Sequence, residues 1–159
     1  MTAHAYELLV RQLVGALKQS VPPLSYAVVH GGASNRLSGA SGFRHQIDVS
    51  LSYPGCLVLI ECKYWRRSVD AEAVLVAASR LSDIQAAMPS TTVCATIVSK
   101  KKATRGAQLV AKKFGVSLDT VTSLTRYGVR LGTNVFVTAE DSIVLSDSVS
   151  AEVVRHAEA

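Results

Sequence analysis

The sequence predicts an α/β layer fold, with a sheet between helices. An amphipathic run opens the chain, a β-branched hairpin pattern surrounds Pro54-Gly55, and strand-like and helix-like runs alternate afterwards. Residues 3–19 place Leu8, Leu9, Leu13, Ala16 and Leu17 at helical spacing until Pro22-Pro23 stops the run. Tyr26-Ala27-Val28-Val29 reads as a short strand ended by Gly31-Gly32, and the polar stretch to Gly42 as a loop able to cover a site. Two strands follow around Pro54-Gly55. Residues 70–87, rich in alanine with Val74, Leu75, Ala78, Leu81 and Ile84, form a helix that Pro89 closes, and Thr92 to Val98 makes another strand. Thr104 to Phe114 is a second long helix, with Gly115 placed as its C-terminal cap. At 159 residues and 48% hydrophobic, the chain holds one domain's core without staples. Residues 1–118 form that core. Residues 119–159 extend it with a hairpin, Val135-Phe136-Val137 and Ile143-Val144-Leu145 about Glu140-Asp141, and a terminal helix from Val149 to His156. This extension either widens the sheet or supplies a dimer contact.

The hairpin about Pro54-Gly55 carries the chemistry. A turn centred between those two residues pairs Asp48 with Glu61 on one sheet face, their Cβ atoms about 4.5–5.5 Å apart, and places Lys63 opposite Gln46. Side-by-side carboxylates repel unless a proton, a lysine or a cation lies between them. A divalent ion is the natural occupant, and an oxygen-rich donor set suits Mg²⁺ where zinc would want His and Cys. The alternative is a structural Asp48/Glu61–Lys63 ion pair. Along the second strand, Cys56, Val58, Ile60 and Cys62 share one face, and Leu57, Leu59, Glu61 and Lys63 the other. Both faces are apolar until the end, as in a central strand whose polar residues emerge at one edge of the core.

Composition bounds the partners. Net charge is +5, which fits a polyanion. No apolar run reaches the length of a membrane span, and Met1 to Glu7 does not lead into a signal-type segment, so a cytoplasmic protein is expected. Cys56, Cys62 and Cys94 sit in strand-like runs without CxxC spacing and are expected as reduced thiols. Lys100, Lys101, Lys102 and Arg105 cluster at a helix start, which reads either as a phosphate-binding surface or as a solvated turn. Arg44, Arg66 and Arg67 surround the acidic site in sequence, and Trp65 beside it reads as packing or as a base-stacking ring.

Asp48, twelve intervening residues and then Glu61-Cys62-Lys63 resemble the PD-(D/E)xK nuclease signature, with Ile47 where that motif often has proline. Gly39-Ala40-Ser41-Gly42-Phe43-Arg44-His45-Gln46-Ile47-Asp48-Val49, Glu61-Cys62-Lys63-Tyr64-Trp65 with Val69, Val98-Ser99 and Ala107 to Leu118 are similar to the Mrr-like restriction endonuclease family, over about residues 39–118. The resemblance implies a restriction-endonuclease-like fold, a central mixed sheet flanked by helices with core order αβββαβ. It implies a Mg²⁺- or Mn²⁺-dependent endonuclease that hydrolyses DNA phosphodiester bonds. Asp48, Glu61 and the Cys62 carbonyl would hold the metal and Lys63 would act on water and phosphate. A further acid from the first helix is also implied, for which Glu7 stands, against a plain Glu7–Arg11 pair. Gln85 would approach the metal water or face solvent, and His45 would position a phosphate or hydrogen-bond within the hairpin. Arg44, Gln46, Arg66, Lys100, Lys101, Lys102 and Arg105 complete the expected DNA contacts. Cutting both strands of a duplex needs two sites, so a homodimer is expected. A structure-selective resolvase on the same scaffold and a non-catalytic DNA-binding or assembly subunit are the alternatives.

Overall fold

The computed structural model describes residues 2–20 and 27–120, and the backbone of three strands at 128–131, 135–138 and 143–145. Helix α1 (Ala3–Ser20) is followed by β1 (Val28–Gly31), β2 (Arg36–Ser38), β3 (Arg44–Gln46), β4 (Val49–Tyr53) and β5 (Cys56–Lys63). Then come α2 (Ala71–Ala87), β6 (Thr92–Ser99), α3 (Arg105–Phe114), β7 (Val116–Thr120), β8 (Gly128–Leu131), β9 (Val135–Thr138) and β10 (Ile143–Leu145).

Five strands make the main sheet in the order β1-β4-β5-β6-β7. β1, β4 and β5 run antiparallel, and β5, β6 and β7 run parallel, with α2 and α3 as the crossovers that parallel neighbours require. The sheet is therefore mixed, and α1-β1-β4-β5-α2-β6 supplies the expected αβββαβ order. β5 is central. Its even residues Val58 and Ile60 pack with Val49, Leu51 and the α1 residues Tyr6, Val10, Leu13 and Val14. Its odd residues Leu57 and Leu59 pack with Ile97 and with Val74, Ala77 and Ala107 of the other two helices. Burying both faces of β5 explains why it reads as an unbroken apolar run until Glu61.

Local chemistry sets the ends. β4 and β5 pair from Val49↔Ile60 to Tyr53↔Cys56, leaving Pro54-Gly55 as a two-residue turn in the expected register. Gly55 has φ +76°, a conformation open to glycine and costly to other residues. Asp70 caps α2 by accepting the Ala73 N–H at 3.0 Å, and Thr104 caps α3 through Ala107 N–H at 3.1 Å. Gly115 ends α3 at φ +69°.

Several expectations are corrected. β1 runs through Gly31, because its ladder with β4 pairs Gly31 with Val49 and a tertiary partner overrides the glycine signal. The stretch to Gly42 is not all loop: β2 pairs with β3 as a separate two-stranded ribbon, its partner only a few residues ahead. Leu8 of α1 is 44% exposed rather than core. β7 follows α3 and straddles the boundary drawn at residue 118, because a parallel edge place beside β6 remained to be filled. The hairpin β9–β10 is present, with Ile143 opposite Val137, but it joins β8 in a sheet of its own instead of widening the main one. The helix expected at 149–156 lies outside the described residues.

A Cβ on Gly55 would meet no atom within 4 Å, so substitution there costs backbone conformation alone. Gly55→Ala is expected to lower unfolding free energy by about 1 kcal/mol in urea denaturation, while Pro54→Ala costs less. Equal effects would show that the turn does not hold the register.

Candidate active site

Asp48 stands where β4 leaves β5. Val49 packs on the α1 side of the sheet, yet Ile47, two residues earlier, packs on the α2 side. A continuous strand would put both on one face, so the chain bends at Asp48. Buried Asn35 holds that bend: its carbonyl accepts the Ile47 N–H at 3.0 Å, its side-chain amide donates to the Ile47 carbonyl at 2.9 Å, and its side-chain oxygen accepts the Ser50 hydroxyl at 3.2 Å. The bend also corrects the pairing of Lys63 with Gln46. Gln46 belongs to β3, opposite Arg36.

With β4 gone, the Cys62 N–H has no strand partner on that side, and the Asp48 carboxylate accepts it at 2.8 Å. In an extended strand the N–H and C=O of one residue point to the same edge. The Cys62 carbonyl thus opens toward Asp48, while the Lys63 carbonyl, on the other edge, accepts the Lys100 N–H at 3.2 Å.

Glu61 leaves β5 on the α2 side. Lys63 Nζ donates to its Oε1 at 2.6 Å, and Arg80 Nη1, from α2, donates to its Oε2 at 2.5 Å. All three side chains are half-buried at one wall of a cleft of about 180 Å³, whose other lining residues include Trp65, Arg67 and Asp70. Lys63 and Arg67 both lie over the Trp65 ring, at 5.1 and 4.4 Å from its centroid, and Arg67 pairs with Asp70. Trp65 is thus engaged by cations of its own chain.

The acids feel one another. Burial pushes the Asp48 carboxyl up to about 6, the nearby charges of Glu61 and Glu7 add to the rise, and the Cys62 N–H and Lys63 offset part of it. The charge of Glu7, from α1, is felt by both Asp48 and Cys62; its side-chain partner is His4, at 3.9 Å, rather than Arg11. Burial, then Asp48 and Glu7, likewise push the Cys62 thiol up, so it stays protonated. All three cysteines are free.

As donors, Asp48, Glu61, Glu7 and the Cys62 carbonyl are hard oxygens of the kind Mg²⁺ takes, and crowded acids with a raised carboxyl fit a divalent cation. Among the described residues no three acid, His or Cys side chains already stand gathered as a ligand set, and Glu61 is turned to Lys63 and Arg80.

Other expected residues fall elsewhere. Gln85 is a correction: its side chain bonds the Met88 and Thr91 carbonyls and the Val93 N–H, closing the connection from α2 to β6. His45 turns inward to Asp83 of α2 at 2.7 Å. Arg44, Gln46, Arg66, Lys101, Lys102 and Arg105 are exposed, and Lys100 bonds the Tyr64 hydroxyl at 3.3 Å. Arg80, Asn35 and Asp83 were not singled out. Glu61 and Arg80 are nineteen positions apart, and no short-range spacing announces that contact.

The mixed five-stranded sheet with helices on both faces is an α/β scaffold. No known family profile and no curated protein match the sequence. Solved structures match the fold. A protein of unknown function, AF1548, aligns at TM-score 0.58 and 17% identity, covering 74% of this chain and 57% of its own. Protein VC1899 from Vibrio cholerae aligns at 0.53 and 16%, over 72% of this chain and 29% of its own. A repair endonuclease from Pyrococcus abyssi reaches only 0.42, too loose a match to carry weight. The chain thus spans little more than half of the first of these structures, and the likeness is one of fold.

The raised Asp48 carboxyl has a pH consequence without metal. Its folded pKa lies above its unfolded one, so the native state holds the extra proton between about pH 4 and 6, and stability falls as pH rises through that window. Asp48→Asn is expected to stabilise the metal-free protein at pH 8 by roughly 1–2 kcal/mol, a figure reduced for partial exposure, and to flatten this slope in denaturation curves. An unchanged slope would place the ionised Asp48 in a favourable environment.

Proposed function

We propose that this domain is a metal-dependent deoxyribonuclease of the PD-(D/E)xK type, akin to the Mrr-like restriction endonucleases, that hydrolyses DNA phosphodiester bonds with Mg²⁺ or Mn²⁺. The observation that carries the reading is the pair of acids at the end of the central strand, Asp48 held on the Cys62 N–H and Glu61 bonded to Lys63 at the wall of an open cleft. Asp48, Glu61 and the Cys62 carbonyl, with Glu7 from α1, would hold the ion. When bound, the metal would polarise the scissile phosphate and acidify a water. Lys63 orients or deprotonates the attacking water and offsets charge building on the phosphate. Arg80 adds a second donor, a planar guanidinium, beside Lys63. Lys63 and Arg80 each donate to one Glu61 oxygen, and both would stand beside a phosphate if Glu61 held the ion. The exposed Lys101, Lys102 and Arg105 at the start of α3, with Arg66, suit backbone phosphates.

The same Glu61 contacts favour a second reading, a non-catalytic subunit in which Lys63–Glu61–Arg80 is simply a structural ion-pair triad. Calorimetry and cleavage separate the two. The nuclease reading expects Mg²⁺ or Mn²⁺ to raise the thermal midpoint of the wild type, and Asp48→Asn to lose most of that rise. It expects cleavage of linear, nicked or four-way DNA that depends on the ion, with Lys63→Ala folded but inactive. Equal stabilisation of both proteins and no ion-dependent cleavage would leave the triad structural. Changing Lys100, Lys101 and Lys102 together to alanine is expected to weaken DNA binding and flatten its salt dependence; unchanged affinity and slope would remove this patch from the interface.

A further inference from the structure

The β2–β3 ribbon has two faces of different chemistry. Its register, Arg36↔Gln46, Leu37↔His45 and Ser38↔Arg44, puts Arg36, Ser38, Arg44 and Gln46 on one face, and all four are exposed. Leu37 and His45 take the inner face, where Leu37 packs against the core cluster under α2. Residues 31–47 contain no Asp or Glu, so nothing on the ribbon neutralises its outer face. Among the described residues, the outer side chains make long contacts to their own loop, Arg36 Nε to the Ala33 carbonyl at 3.4 Å and Gln46 Nε2 to the Gly32 carbonyl at 3.5 Å.

The ribbon does not hang free. Asp83 of α2 accepts the Ser41 N–H at 2.8 Å and the Ser41 hydroxyl at 2.6 Å, meets His45 Nε2 at 2.7 Å, and its carbonyl accepts the Ala40 N–H at 3.0 Å. The Ser41 hydroxyl bonds the carboxylate and not the imidazole, so this trio is a fastening and not a hydrolytic triad. A Cβ on Gly39 would stand 1.9 Å from Asp83 Oδ2, so a side chain there would displace the carboxylate that holds Ser41 and His45. Phe43 projects at the tip, 64% exposed, with its ring edge-on to His45 at 5.0 Å. From Gln46 the chain passes through buried Ile47 straight into Asp48.

A two-stranded ribbon fits the major groove of a duplex, about 12 Å wide, where arginine reads guanine and glutamine reads adenine. We propose that the β2–β3 hairpin is a DNA-groove ribbon: Arg36, Arg44 and Gln46 face the duplex, Phe43 meets it at the tip, and Asp83 is the positioning residue that fixes the ribbon relative to Asp48. The proposal rests on the nuclease reading for its partner and adds how the substrate is gripped.

Binding of a short labelled duplex in EDTA, followed by fluorescence anisotropy, tests it apart from cleavage. Changing Arg36 and Arg44 together to alanine is expected to weaken binding about ten-fold or more and to lower the salt slope by about two, with the thermal midpoint unchanged. Asp83→Ala is expected to weaken binding several-fold while keeping the wild-type salt slope, and Asp83→Asn to do so less. Bound duplex is expected to protect Arg36 and Arg44 from trypsin. Wild-type affinity and slope in the double variant, or trypsin cutting there equally fast with and without duplex, overturns the ribbon even if Lys63→Ala still abolishes cleavage. A wild type that binds no duplex and cuts none overturns both readings.

Discussion

Everything at the site depends on one hydrogen bond, from the Cys62 N–H to the Asp48 carboxylate. It exists because β4 stops at Val49 while β5 runs on to Lys63, leaving a ladder donor at the edge of the core with no backbone acceptor. A buried N–H must be satisfied, and a carboxylate one residue before the strand does it. The bond also holds a carboxylate where burial and two neighbouring acids oppose its charge. The strand end is thus both the fold's solution to an open ladder and a seat for negative charge.

The two carboxylates of the hairpin meet that strain in opposite ways. Glu61 is flanked by Lys63 and Arg80, each bonding a different oxygen, so its charge is matched inside the chain. Asp48 has one backbone N–H and the more distant field of Lys63, and its carboxyl rises. Under the proposed nuclease reading, an external cation would offset the Asp48 charge that the chain itself leaves unmatched, whereas a purely structural cluster would gain by neutralising each acid.

How much of this the sequence carried depends on range. The Pro54-Gly55 turn is local, and two residues set the β4–β5 register from Val49↔Ile60 onward. The alternation of β5 reports two buried faces and was equally legible. β2 was not, because Arg36-Leu37-Ser38 lacks a strand composition and is held by β3 and by the core contact of Leu37. Arg80 and Asp83 lie on a helix whose spacing speaks only of its own core face, so their contacts with Glu61 and with Ser41 and His45 arise solely from the packing of α2 on the sheet. Gln85 failed for the same reason in reverse: helical position put it on the right element, but at the end that closes the turn into β6.

α2 is consequently more than a layer of the sandwich. Val74, Ala77, Ala78 and Ile84 bury its inner face against the odd side of β5 and β6, which fixes its height and rotation. Arg80 and Asp83 lie three residues apart, so they are near neighbours on the helix surface. From that one stretch Arg80 reaches Glu61 and Asp83 reaches the β2–β3 ribbon. A shift of α2 by one residue would break both contacts together, whereas a change confined to the ribbon leaves Glu61 and Arg80 in place. The acids and the ribbon therefore share a reference frame made of apolar packing, which is how a loop-borne surface can be held in fixed relation to a strand-borne site.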